Sequence, residues 1–143
     1  MKKSNLFLAL SLISLLIYSG CGSSGKGVQT SLLNGKWILQ TLNNKEVVAE
    51  KSGGEIPYLS FNIKLNSVTG STGCNIINGK TDITGIEITF SDMSMTKINC
   101  TNAEYEMEFV NFIFHANPLQ YKISNNILTI SKNDKIIMTF RKS

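Results

Sequence analysis

Three cysteines and a single histidine are the sharpest chemical groups in this 143-residue chain. Cys21 follows an amino-terminal apolar run. Cys74 lies in Gly70-Ser71-Thr72-Gly73-Cys74-Asn75, and Cys100 closes Met95-Thr96-Lys97-Ile98-Asn99-Cys100. Nucleophilic catalysis needs a Ser, Thr or Cys beside a base. His115 falls at the end of an expected helix, where it suits a charge partner for the helix terminus better than a base. No Gly-x-Ser-x-Gly elbow occurs, and Ser71 has no partner that the sequence nominates. Cys74, Cys100 and His115 lack the short paired spacing of zinc ligands. Gly70–Gly73 lacks the Gly-Lys-Ser/Thr ending of a phosphate loop. The expectation is therefore no catalytic set, no metal and no cofactor.

Carboxylates offer a second chemistry. Glu104, Glu106 and Glu108 crowd one stretch, either as an acid–base or metal cluster or as the solvated first turns of a helix, where the dipole favours negative charge. The solvated helix start is the expected reading. Asp82, Glu87 and Asp92 read as scattered surface charges. Tyr58, Phe61 and Phe90 could stack on bases, yet they fall in strand-like stretches where aromatic side chains alternate with polar ones, which marks a core instead. The chain carries 14 Lys+Arg against 10 Asp+Glu, a formal charge of +4. Loss of Lys2 and Lys3 with a cleaved leader lowers it to +2, too little to support nucleic-acid binding. With 42% hydrophobic residues, wholesale disorder is excluded, and the length excludes a two-domain enzyme.

Lys2 and Lys3 precede Leu6–Ile17, a 12-residue apolar and small-residue run. A membrane-spanning helix needs about 20 such residues, so the run reads as a secretory signal. Tyr18-Ser19-Gly20-Cys21 then resembles a bacterial lipobox, although Tyr18 stands where Leu is usual. The resemblance implies cleavage before Cys21 and lipid on its sulfur and amine. Residues 1–20 are then a signal peptide, 21–31 an anchored cysteine with a Gly/Ser-rich flexible tether, and 32–143 the folded domain. Gly22 is not Asp, so outer-membrane attachment is expected over inner-membrane retention.

Most of the domain follows a period of two. Trp37 and Leu39 should face inward on a first strand, and Leu59, Phe61, Ile63 and Leu65 on a second. Ile86, Ile88 and Phe90 form another. A ribbon from Val68 to Asp82 is interrupted by Gly70, Gly73 and Gly79, which suggests bulges or bends. Asn125-Asn126 and Lys132-Asn133-Asp134 should turn hairpins that carry Tyr121, Ile123, Leu128, Ile130, Ile136, Met138 and Phe140. One stretch breaks the period. Thr101 with Glu104 reads as a capping box, and Tyr105, Phe109, Phe112, Ile113 and Ala116 then share a helical face up to Asn117-Pro118. Residues 102–116 are expected as the only substantial helix. The fold class is mainly β (α+β): a curved antiparallel sheet or small barrel-like fold packed with one α-helix. Trp37, Leu59, Phe61, Phe109 and Phe112 would fill its core, or line a cavity if one exists.

The Gly-Cys-Asn segment, with Gly35-Lys36-Trp37-Ile38-Leu39 upstream and Thr96-Lys97-Ile98-Asn99-Cys100 downstream, resembles the META domain family, whose bacterial members are HslJ-like lipoproteins. The likeness covers about residues 32–142 and rests on Trp37, Gly73, Cys74, Asn75, Thr96 and Cys100. Ile76-Ile77 and Ile98-Asn99 depart from the commoner residues. The resemblance implies a β-rich, barrel-like domain with one helix, in an exported or lipid-anchored protein linked to envelope stress, without a settled activity. It also points to Cys74 and Cys100 as a matched disulfide pair, which an oxidising compartment would permit. Buried free thiols and a redox pair remain the alternatives. Two function classes follow. The first is a non-catalytic, lipid-anchored module, monomeric, that binds an envelope protein or apolar ligand and supports outer-membrane integrity or stress tolerance. The second is an envelope hydrolase with an unorthodox site.

Overall fold

The computed structural model describes residues 25–143, with side chains from residue 29 onward; the expected signal segment and Cys21 lie outside the described residues. Two helices and a sheet make the domain. In chain order they are α1 (Gly25–Leu33), β1 (Gly35–Leu42), β2 (Lys45–Glu46), β3 (Tyr58–Asn62), β4 (Ser67–Ser71), β5 (Ile76–Thr84), β6 (Glu87–Met95), α2 (Glu106–His115), β7 (Leu119–Ser124), β8 (Ile127–Lys132) and β9 (Lys135–Lys142). Asn43-Asn44, Asn125-Asn126 and Asn133-Asp134 take positive φ at both positions, the two-residue turn that matches strand twist and joins β1–β2, β7–β8 and β8–β9. The strands pair in the order β2-β1-β3-β4-β5-β6-β7-β8-β9, and β9 pairs back onto β1. Every strand but the two-residue β2 therefore belongs to a closed antiparallel barrel, which leaves few exposed edges.

The barrel interior is the core. Trp37, Leu39, Leu59, Phe109, Leu128, Met138 and Phe140 are fully buried, with Phe61 and Phe90 nearly so. Phe109 meets Phe140 edge-on at 6.4 Å between centroids, which seats α2 on the barrel wall. Trp37, Leu59, Phe61 and Phe109 pack in one buried cluster with Phe112 against its edge.

Local expectations shift where the backbone bends. The second strand ends at Asn62, because the Asn62 side chain accepts from the Leu65 amide at 3.2 Å and turns 63–65 into a 3-10 segment. Leu65, expected inside, is 72% exposed, and Ile86 lies in the β5–β6 turn at 59%. A register shift between Ile130 and Ser131 of β8 slips its pairing with β9 by one residue. Ile137 thereby replaces Ile136 on the inward face, since a one-residue slip changes the face of a strand. The capping box does not form. Helix α2 starts at Glu106 with Tyr105 as a cap that makes no side-chain bond. Residues 101–105 are instead drawn to the 49–53 loop, where the Glu104 amide donates to the Lys51 carbonyl at 3.0 Å and Ala103 bridges Ser52.

Helix α2 is the expected main helix, and α1 is a further nine-residue helix that occupies part of the stretch expected as tether. The Trp37 ring N–H donates to the Leu33 carbonyl at 2.7 Å. Lys142 donates to the Leu32 and Asn34 carbonyls at 2.6 and 2.9 Å, satisfying the end of the helix with a cation. Helix α1 packs on the 63–65 turn and on β7, at the end of the barrel where β1 begins, whereas β1 ends at the first turns of α2, where Asn43 donates to Glu108.

Within the closed barrel the weakest seam lies between β6 and β7, which pair at Glu87–Gln120 and Ile88–Leu119, with one further bond from the Tyr121 amide to the Ile86 carbonyl at 2.8 Å. A carboxamide stands in for the missing strand on each side. Asn117 accepts from the Phe90 amide and donates to its carbonyl, both at 2.9 Å. Gln29 of α1 does the same for Ile123, at 3.0 and 3.2 Å. Each satisfies both backbone groups of one edge residue.

Candidate functional site

The glycine-cysteine ribbon between β4 and β5 turns at the α2 end of the barrel. Gly73 has φ +99°, and a Cβ there would lie 2.0 Å from the Ser52 carbonyl oxygen, so only glycine fits. The turn closes through its own side chains. Ser71 Oγ accepts from the Gly73 amide at 3.0 Å, Thr72 Oγ1 accepts from the Asn75 amide at 2.8 Å, and the Thr72 amide donates to the Asn75 carbonyl at 2.8 Å.

Asn75, 2% exposed, is the hub. Its Oδ1 accepts from Thr96 Oγ1 and from the Ile98 amide, both at 2.7 Å. Its Nδ2 donates to the Ile98 carbonyl at 3.1 Å and to Glu106 Oε1 at 2.8 Å. The same Glu106 oxygen accepts from Thr72 Oγ1 at 2.5 Å. Cys74 and Cys100 are joined by a disulfide of 2.03 Å with Cα atoms 6.0 Å apart, beside this network. One carboxamide and one carboxylate thus tie together the β4–β5 turn, the segment after β6 and the first turn of α2.

Of the residues singled out in the sequence, Gly73, Cys74, Asn75, Thr96 and Cys100 converge here. Trp37 does not: it lies against α1, with Lys142 Nζ 4.8 Å from its ring centroid. His115 is exposed at the last turn of α2. Glu106 and Thr72 join the cluster unforeseen. The three glutamates of the helix start have three different settings: Glu104 forms an exposed ion pair with Lys51 at 3.3 Å, Glu106 joins the network, and Glu108 accepts from Asn43 of the β1–β2 turn. The solvated expectation holds for Glu104 alone. Charge crowding gave no means to tell the three apart, because the distinction depends on which strand turns meet the helix.

Thr72 beside Glu106 has the composition of a nucleophile and a base. The Thr72 hydroxyl donates to Glu106, as that use requires, but Thr72 is fully buried and its oxygen already accepts from the Asn75 amide. Among the described residues, no three His, Cys, Asp or Glu side chains converge as a metal site. A separate, open groove of about 470 Å³ runs over the outer face of β7–β9 from Gln29 and Ile86 to Ile136 and Asp134.

The family model described as META domain matches residues 30–143. Among solved structures, a protein determined by NMR is 26% identical, with a TM-score of 0.63, covering 78% of this chain and 92% of its own. A Burkholderia xenovorans protein, also an NMR structure, shares 18% identity at a TM-score of 0.61, covering 80% and 86%. A DUF4847 family protein from Bacteroides vulgatus shares 15% identity at a TM-score of 0.54, covering 78% and 94%. The last two show likeness of fold alone. No curated protein gives a significant match.

Proposed function

This chain belongs to the META domain family, and on that premise we propose that it is a non-catalytic envelope lipoprotein. Lipid on Cys21 holds it at the outer membrane, and the barrel binds a partner protein or small apolar ligand in support of envelope integrity under stress. The observation that carries the non-catalytic part is the commitment of Thr72, Asn75 and Glu106 to one another. Thr72 and Asn75 are buried and satisfied by each other and by Glu106 Oε1, the arrangement of side chains that position backbone; Glu106 alone of the three is half-buried. Chemistry by Thr72 would require opening the turn that Gly73 and the disulfide close. The anchor rests on the charged, apolar and Ser19-Gly20-Cys21 succession of the leader.

Metabolic labelling with a radioactive fatty acid tests the anchor. The wild-type chain should incorporate label and fractionate with outer membranes, and Cys21→Ser should do neither. Incorporation into Cys21→Ser would refute the anchor. For the domain, Thr72→Val should leave stress survival of the host unchanged wherever the protein still accumulates. Loss of survival at normal protein level would favour the hydrolase reading.

A further inference from the structure

We propose that the α1 end of the barrel is a bilayer-docking face, seated on a phospholipid surface with anionic headgroups. The inference rests on the Cys21 anchor proposed above and adds an orientation to it. Only three residues separate Cys21 from Gly25, where α1 begins. Four Cα steps reach at most about 14 Å, so a lipid on Cys21 brings this end, not the α2 end, to the membrane.

The surface there fits that neighbour. Leu32 of α1, Leu65 of the β3–β4 turn and Ile86 of the β5–β6 turn are 44%, 72% and 59% exposed. They come from three separate elements that meet at one end: α1 packs on the 63–65 turn, and Ile86 shares a groove with Gln29. Apolar side chains in turns, with charged heads beside them, are the pattern of shallow insertion at the headgroup level. Lys36, Lys64, Lys122 and Arg141 are exposed around them against Asp82 and Glu87, so cations exceed anions and anionic lipid is attracted. The α2 end also exposes apolar groups, Ile76, Ile98 and Met107. Docking by α1 turns these away from the bilayer and leaves them open to a partner.

The test uses the full lipidated chain, reconstituted in vesicles of phosphatidylethanolamine and phosphatidylglycerol and, separately, in detergent. Intact mass first establishes the lipid, and acetylation of lysines then reports exposure. In vesicles, Lys64 and Lys122 should be modified several-fold more slowly than in detergent, with Lys45 and Lys97 unchanged. The double variant Leu65→Asp, Ile86→Asp, altered only at exposed turn positions, should recover the detergent rates at Lys64 and Lys122. A lipidated protein labelled alike at both ends, or protected at Lys97 instead, overturns the docking face while the anchor stands. A mass without lipid overturns the anchor and this inference with it.

Discussion

Asn75 donates its carboxamide N–H to the Glu106 carboxylate at 2.8 Å, and this contact joins the glycine-cysteine ribbon to the first turn of α2. The same carboxamide holds Thr96 and Ile98, so one side chain positions three segments distant in sequence. In a barrel whose strands are short, such cross-links fix how the long 96–105 connection returns over the rim.

Gly73 should tolerate no side chain. Gly73→Ala places a Cβ against the Ser52 carbonyl in a backbone region that disfavours L-residues. The expected loss is at least about 2–3 kcal/mol in urea unfolding, in the range of a strained special position. An unchanged midpoint would show that the turn can open without consequence.

Removing the disulfide should destabilise without redirecting the fold. Cys74 and Cys100 close a loop of sequence separation 26. For that length the chain-entropy account gives about 3–4 kcal/mol. Cys74→Ala with Cys100→Ala should therefore lower the urea midpoint while the far-ultraviolet circular dichroism of the folded protein stays the same. A lost β spectrum in buffer would mean that the crosslink is needed to form the sheet at all.

The β6–β7 seam should respond to either carboxamide. Gln29→Ala and Asn117→Ala each remove two hydrogen bonds to one edge residue. Each should cost about 1–2 kcal/mol. Hydrogen exchange separates them: the Ile123 amide should speed up in the first variant and the Phe90 amide in the second. Global acceleration in both would indicate that the seam opens only with the whole barrel.

Much of this architecture is legible in the chain. Period-two stretches at Trp37-Leu39, Leu59-Phe61, Ile88-Phe90 and Leu128-Ile130 are buried as their alternation requires, and Asn125-Asn126 and Asn133-Asp134 turn where their tolerance of positive φ suggests. What escaped depends on contacts between distant segments. Leu65 continues the alternation, yet the Asn62 cap ends the strand before it. Thr101 and Glu104 have capping-box spacing, but the 49–53 loop claims the Glu104 amide. Gln29 lies in a stretch whose neighbours read as linker, and its role appears only once the edge of β7 at Ile123 lies beside it. Likewise, the motif residues Gly73, Asn75 and Cys100 could be named from sequence, while Glu106 could not be distinguished from Glu104 and Glu108.

The claim that the motif is a structural clamp is tested most directly by a double-mutant cycle in urea between Asn75→Ala and Glu106→Ala. Each single change should lower stability, by about 1–3 kcal/mol, because each strands buried partners of the other. The double variant should be less destabilised than the sum by about 1 kcal/mol or more, since contacting residues in one network are coupled. Losses that add within about 0.3 kcal/mol would contradict the clamp, and would leave Asn75 and Glu106 as independent groups in need of another purpose.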